Sequence, residues 1–229
     1  MIRTAFIFIL FLFSILGISQ NLKDSLKINF DFVFNNDKLE LGKKFISKSN
    51  DTLEISSLKF YVSNFNLEFD DESTLSNDGI YLLDIEKTSN SIAIKLNKEG
   101  KGKIINKVTF SVGIDSLTNV SGALEGDLDP TKGMYWAWQS GYINFKMEGK
   151  SKNCLTPKNK FQFHIGGYLS PFETIRQISV FPRKKEVLVK VDVSKLFSEI
   201  KLSDNNSIMI PGEKAVLMAN LVTKIFYSN

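Results

Sequence analysis

The chain has 229 residues, 43% of them hydrophobic, and a formal net charge of +4 from 29 basic and 25 acidic residues. That length can bury one sizeable core, and the charge is too evenly spread for a nucleic-acid binder, since no basic cluster exceeds "PRKKE" at 182–186. A single cysteine cannot form an internal disulfide, and a single histidine leaves neither a nucleophile triad with supporting residues nor a multi-histidine zinc set, so the chain reads as a binding protein and not an enzyme.

In chain order, residues 4–18, "TAFIFILFLFSILGI", form an apolar run behind Arg3 and are followed by small residues, among them Ser19. This predicts a secretory signal peptide over 1–19, cut after Ser19, with no cysteine near the cut to take a lipid and hence no membrane anchor. The expected domain is 20–229, exported to the periplasm or the exterior. "KINFDFVF" at 27–34 alternates, with Ile28, Phe30, Phe32 and Phe34 on one face, which predicts a half-buried strand. "LKFYVSNFNLEF" at 58–69 alternates too, but its apolar face changes phase at Ser63 and Asn64, as at a β-bulge. Further strands are expected at 80–85, 92–96, 104–114, 142–148, 161–165, 176–181, 187–193 and 218–227. Helix is scarce, with 193–202 opening on Ser194 the best segment. Many short strands and few helices predict an all-β fold, a single antiparallel two-sheet β-sandwich with one long ordered loop.

That loop is 113–142, roughly thirty residues with little strand pattern but with apolar residues of its own, so it is expected to fold over the sandwich. Its Asp115, Asp127 and Asp129 lack the ladder of a calcium loop and are expected to hold backbone N–H groups in turns. The loop ends in "GMYWAWQSGY", which contains both tryptophans. If this stretch is extended, Met134, Trp136 and Trp138 project from one side in a row, serving as a core plug or as a site. Cys154, in "GKSKNCLTPKNK", reads as a tolerated loop thiol. His164, in "FQFHIGGY", should face away from Phe161, Phe163 and Ile165.

"GIDSLTNVSG", "GDLDPTKGMYWAWQSGYINFKMEG", "LKFYVSNFNL" and "FQFHIGGY" together resemble the MbnP-like family of exported copper-binding proteins, from about residue 27 to the C-terminus. The resemblance implies a β-rich extracytoplasmic fold in which a tryptophan is oxidised to kynurenine by a partner di-haem oxidase and then helps to hold copper. Carried to this chain, it points to Trp136, with Trp138 second, and to His164. The sequence departs from copper-holding relatives in having one imidazole, and the thioether of Met134 is the soft ligand that would complete a Cu(I) site. The alternative from the residues themselves is a metal-free module in which Tyr135, Trp136, Trp138 and Tyr142 form an aromatic platform for a glycan, a peptide or a protein.

Overall fold

The computed structural model describes residues 25–96, 100–139 and 141–228. The expected signal peptide at 1–19 and its cut lie outside them. Fifteen strands follow in order: β1 (Ser25–Phe34), β2 (Asp37–Lys38), β3 (Lys44–Ile46), β4 (Thr52–Phe69), β5 (Thr74–Asn77), β6 (Tyr81–Asp84), β7 (Ser91–Lys95) and β8 (Ile105–Val112), then β9 (Tyr135–Trp136), β10 (Gly141–Ser151), β11 (Lys160–Gly166), β12 (Arg176–Val180), β13 (Val187–Asp192), β14 (Ser207–Ile208) and β15 (Phe226–Ser228). Three short helices are α1 (Ser116–Val120), α2 (Ser194–Phe197) and α3 (Glu213–Val222).

The strands form two sheets. The smaller runs β15-β13-β1-β2, with β7 also on β1, and the larger runs β12-β8-β4-β10-β11-β14, with β3, β5, β6 and β9 attached. Their inner faces close on one phenylalanine-rich core, because alternation turns Ile28, Phe30, Phe32 and Phe34 of β1 inward as expected. Phe30 meets Phe110 edge to face at 5.8 Å between ring centroids, and Phe32 meets Phe60 likewise at 6.0 Å, which locks β1 against β8 and β4. The two-sheet all-β architecture is the expected one. Its ladders are antiparallel except β1 with β13 and β11 with β14, and both parallel pairs join segments separated by crossovers long enough to permit them.

The phase change in β4 is real. Leu58, Phe60 and Val62 enter the main core before it and Phe65, Leu67 and Phe69 after it, while the register against β8 shifts between Ser63 and Asn66. Asn64 sits there at φ 52°, a left-handed conformation that asparagine tolerates better than most residues. Before the bulge, alternation with Leu58, Phe60 and Val62 puts Lys59 and Tyr61 on the outer face of the larger sheet.

Two expectations are corrected. Residues 218–227 are not one strand: Ala215, Met218, Ala219 and Val222 are buried at helical spacing in α3, and only Phe226–Ser228 is extended. Helix α2 is a single turn, because the Ser194 hydroxyl donates to the Asp192 carboxylate at 2.6 Å and does not cap it. Cys154 does lie in a loop, between β10 and β11, but its side chain is fully buried in the main core, and burial pushes its thiol pKa up.

Candidate functional site

The outer face of the larger sheet is where the long loop lies, and the loop's polar residues hold it there. Asp115 caps α1 by accepting from the Thr118 backbone N–H at 2.8 Å. Buried Asn119 donates to the Ile114 and Asp115 carbonyls and accepts from the Tyr142 N–H at 2.9 Å, which ties α1 to β10. Asp127 accepts from the Leu82 N–H on β6 at 2.9 Å and from Lys132 Nζ at 2.7 Å, and Asp129 accepts from the Thr131 N–H. These carboxylates are structural, as their turn context suggested. The Tyr142 hydroxyl accepts from the Leu124 N–H at 3.0 Å and is placed to donate to the Leu128 carbonyl at 3.0 Å.

Pinned in this way, the loop builds a second core against the sheet from Tyr61, Leu82, Ile114, Leu128, Met134, Trp136, Tyr142 and Ile143. Burial among these groups raises the Tyr61 pKa, with Tyr142, Asp127 and Asp129 adding to the effect. Met134 is fully buried and Trp136 nearly so. The expected row ends there. β9 stops at Trp136, residues 137–139 turn, and Trp138 is 64% exposed with its ring centroid 5.9 Å from that of Trp136. Strand alternation therefore does not carry Trp138 inward. Nor do the four rings make a surface platform, since Trp136 and Tyr142 are core residues.

His164 lies on the outer face of β11, opposite Phe161, Phe163 and Ile165, as the alternation predicted. It is 8% exposed, and its Nε2 is 2.7 Å from Glu148 Oε1. Burial lowers the His164 pKa below its ordinary 6.5, the Glu148 hydrogen bond opposes this, and the Lys146 charge adds to the lowering. For Glu148, burial raises the pKa, but the His164 hydrogen bond and the Lys146 charge outweigh it and leave the net shift downward. The neutral imidazole is thus favoured, with Nε2–H donating to a carboxylate and Nδ1 as the lone-pair nitrogen, the arrangement that orients a metal-binding histidine.

Two contacts relate His164 to the tryptophan segment. Lys146, the cross-strand partner of His164, donates from Nζ to the Gly133 carbonyl at 3.3 Å, next to Met134. The Trp136 ring packs on Gly166, where a Cβ would sit 2.7 Å from a ring atom and 2.5 Å from the Tyr142 carbonyl oxygen. Only glycine admits the ring so close. Gly166 and His164 are two residues apart on one strand and share its outer face, roughly 7 Å along the chain. Met134, Trp136 and His164 accordingly belong to one end of one face, and exposed Trp138 meets the Trp136 ring there.

Trp136 Nε1 is, among the described residues, the fully buried side-chain nitrogen or oxygen that lacks a hydrogen-bond partner. Such an atom ordinarily costs stability. No group of three His, Cys, Asp or Glu residues that could hold a metal occurs among the described residues. Any copper here would therefore need the Met134 thioether or a donor made from tryptophan beside His164, and the soft thioether and oriented imidazole fit Cu(I) in kind. Sequence reasoning missed Glu148 and Lys146. Alternation in "INFKMEGKS" places both on one face, but only the β10–β11 register brings them to His164.

No helix among the described residues is long and apolar enough to cross a membrane. No curated protein matches the chain in sequence. Among solved structures it is similar to MbnP from Methylosinus trichosporium, with a TM-score of 0.57 at 14% identity, covering 78% of this chain and 79% of that one, a likeness of fold. The sequence profile of the MbnP family matches residues 23–210, most of the chain, and the chain belongs to the MbnP family.

Proposed function

We propose that this chain is an exported, non-catalytic copper-binding protein in which His164 is the principal nitrogen ligand of Cu(I), Met134 supplies a thioether and Trp136 is the modifiable wall of the site. One observation carries the reading: the sole histidine is fixed through Nε2 by Glu148 on the same outer face, and at the same end, as the buried Trp136 ring on Gly166. An imidazole held in this way has one nitrogen committed to orientation and the other directed to a ligand. Oxidation of Trp136 to kynurenine by a partner di-haem oxidase, with dioxygen or peroxide as oxidant, would cleave the Cγ–Cδ1 bond and, after hydrolysis, release Cδ1 from Nε1 as formate, leaving an aryl amine at the unpartnered Nε1 and a ketone at Cγ, two metal donors where the indole offered none. Trp138, tilted against Trp136 and exposed, is the solvent-side ring that such a partner meets first.

The test is a Cu(I) titration against a competing chelator, paired with the intact mass of protein isolated from its own host. Tight binding that is lost in His164→Ala and weakened in Glu148→Gln is the expected result, together with a mass gain of about 4 Da for one oxygen gained and one carbon lost. Unchanged Cu(I) affinity in His164→Ala would refute the ligand assignment. An unshifted mass combined with tight binding would remove the kynurenine and leave the imidazole and thioether.

A further inference from the structure

At the far end of the same outer face, where β10 turns into β11, lies a cleft of about 490 Å³ that includes Lys44, Glu54, Lys150, Lys152 and Lys158. Its charge follows from the registers. Lys44 pairs with Glu54, Glu54 with Lys150, and Lys150 with Lys160, a row across β3, β4, β10 and β11 that carries three lysines and one acid. Like charges directly opposite each other on neighbouring strands are destabilising, yet Lys150 and Lys160 face one another. Lys44, Lys150, Lys152, Lys158 and Lys160 are all exposed, and none is in an ion pair among the described residues. The hairpin tip adds to the cleft: Lys158 and Asn159 adopt left-handed backbone at φ 62° and 53°, and the Asn159 amide donates to the Cys154 carbonyl at 3.0 Å.

We propose that this cleft binds a carboxylate-bearing glycan chain. The row from Lys44 to Lys160 crosses three strand spacings, roughly 14 Å, so a single small anion cannot reach all of it and an extended ligand can. Charge along the row is interrupted by Glu54, and the neutral hydrogen-bonding groups of Thr52, Ser151 and Asn159 line the same cleft. Cations spaced apart by one acid and by neutral hydrogen-bonding groups match a sugar chain whose carboxylates are separated by hydroxyls better than they match the dense charge of a polyphosphate. Lysines act as point charges without the bidentate fork of arginine, so recognition rests on spacing, and it weakens with salt.

The experiment is calorimetric titration of the protein with an oligogalacturonate, a neutral oligosaccharide of equal length, and tripolyphosphate, each at low and high salt. The oligogalacturonate should bind at low salt and the neutral sugar should not. The double variant Lys150→Gln/Lys152→Gln, and independently Lys44→Gln/Lys158→Gln, both made at lysines that line the cleft, should weaken binding roughly tenfold or more. Lys184→Gln/Lys185→Gln, which removes equal charge from elsewhere on the surface, should leave binding within about twofold, as should His164→Ala, which separates this site from the copper reading. Circular dichroism melts of every variant check the fold. Equal loss in the 184/185 control, no loss in either cleft variant, or binding of tripolyphosphate but not the oligogalacturonate would overturn the proposal.

Discussion

β10 and β11 present two unlike ends on one face of the larger sheet. At the Gly141 and Gly166 end the long loop folds over, and what lies beneath it is sealed: Met134 and Trp136 are buried, and the Tyr142 hydroxyl and His164 each have partners at 3.0 Å or less. At the 152–159 end no comparable cover lies over the face among the described residues, and lysines stand exposed, even directly opposite each other. The strands and their alternation are the same at both ends. The cover differs, because a polar group taken out of water must find a partner while an exposed one is solvated at little cost. The chemistry that depends on orientation is thus expected at the covered end, and the chemistry that depends on reach and charge at the open one.

Breaking the covered end should produce the largest effects. Trp136→Ala is expected to cost about 3–5 kcal/mol, read as a drop in urea-unfolding midpoint, because the ring is buried against Gly166 and the second core. Gly166→Ala should cost about 1–3 kcal/mol or more, since its Cβ would meet a backbone carbonyl at 2.5 Å as well as the ring, and backbone yields poorly. A shift in tryptophan fluorescence should accompany it, and an unchanged spectrum and stability would mean the ring does not lie there. Tyr142→Phe leaves the Leu124 N–H and the Leu128 carbonyl without their hydroxyl partner and should cost about 1–3 kcal/mol, with faster proteolysis within 113–139 than elsewhere.

A smaller effect sharpens the comparison through pH. The folded His164 pKa is depressed below 6.5, so its contribution to stability is present above that value and lost as pH falls through the lower folded value. Glu148 is depressed too, but from 4.5, so its loss comes at lower pH. Denaturant melts between about pH 5 and 7 should therefore show stability falling with acidification in the native protein and a flatter profile in His164→Gln. The smallest changes belong to exposed groups. Lys160→Gln should raise stability by about 0.2–1 kcal/mol by relieving the Lys150 pair, and Trp138→Ala should change it by about 0.5 kcal/mol or less, both by thermal melt. A large loss in Trp138→Ala would mean that this ring is covered after all.

Alternation alone located β1, β8, β11 and β13, the inward Phe30 and Phe163, the outward His164 and the bulge at Asn64, because the two-residue period of a strand is written in neighbouring residues. Family membership was legible in the same way, from long motifs in order. The depth of the tryptophans was not. Trp136 and Trp138 are two positions apart and look equivalent in the sequence, yet β9 ends between them, and a turn takes one ring inward and the other out. Cys154 lies among polar neighbours in the sequence, yet it belongs to the main core, which is assembled from residues far away in the chain. Glu148 became the partner of His164 only through the pairing of β10 with β11, and the lysine row only through three ladders at once. Sequence by itself determined which way each strand's side chains point, a local property of the backbone. Tertiary structure decided which strands lie side by side and what covers them, since register and burial depend on residues far apart in the chain.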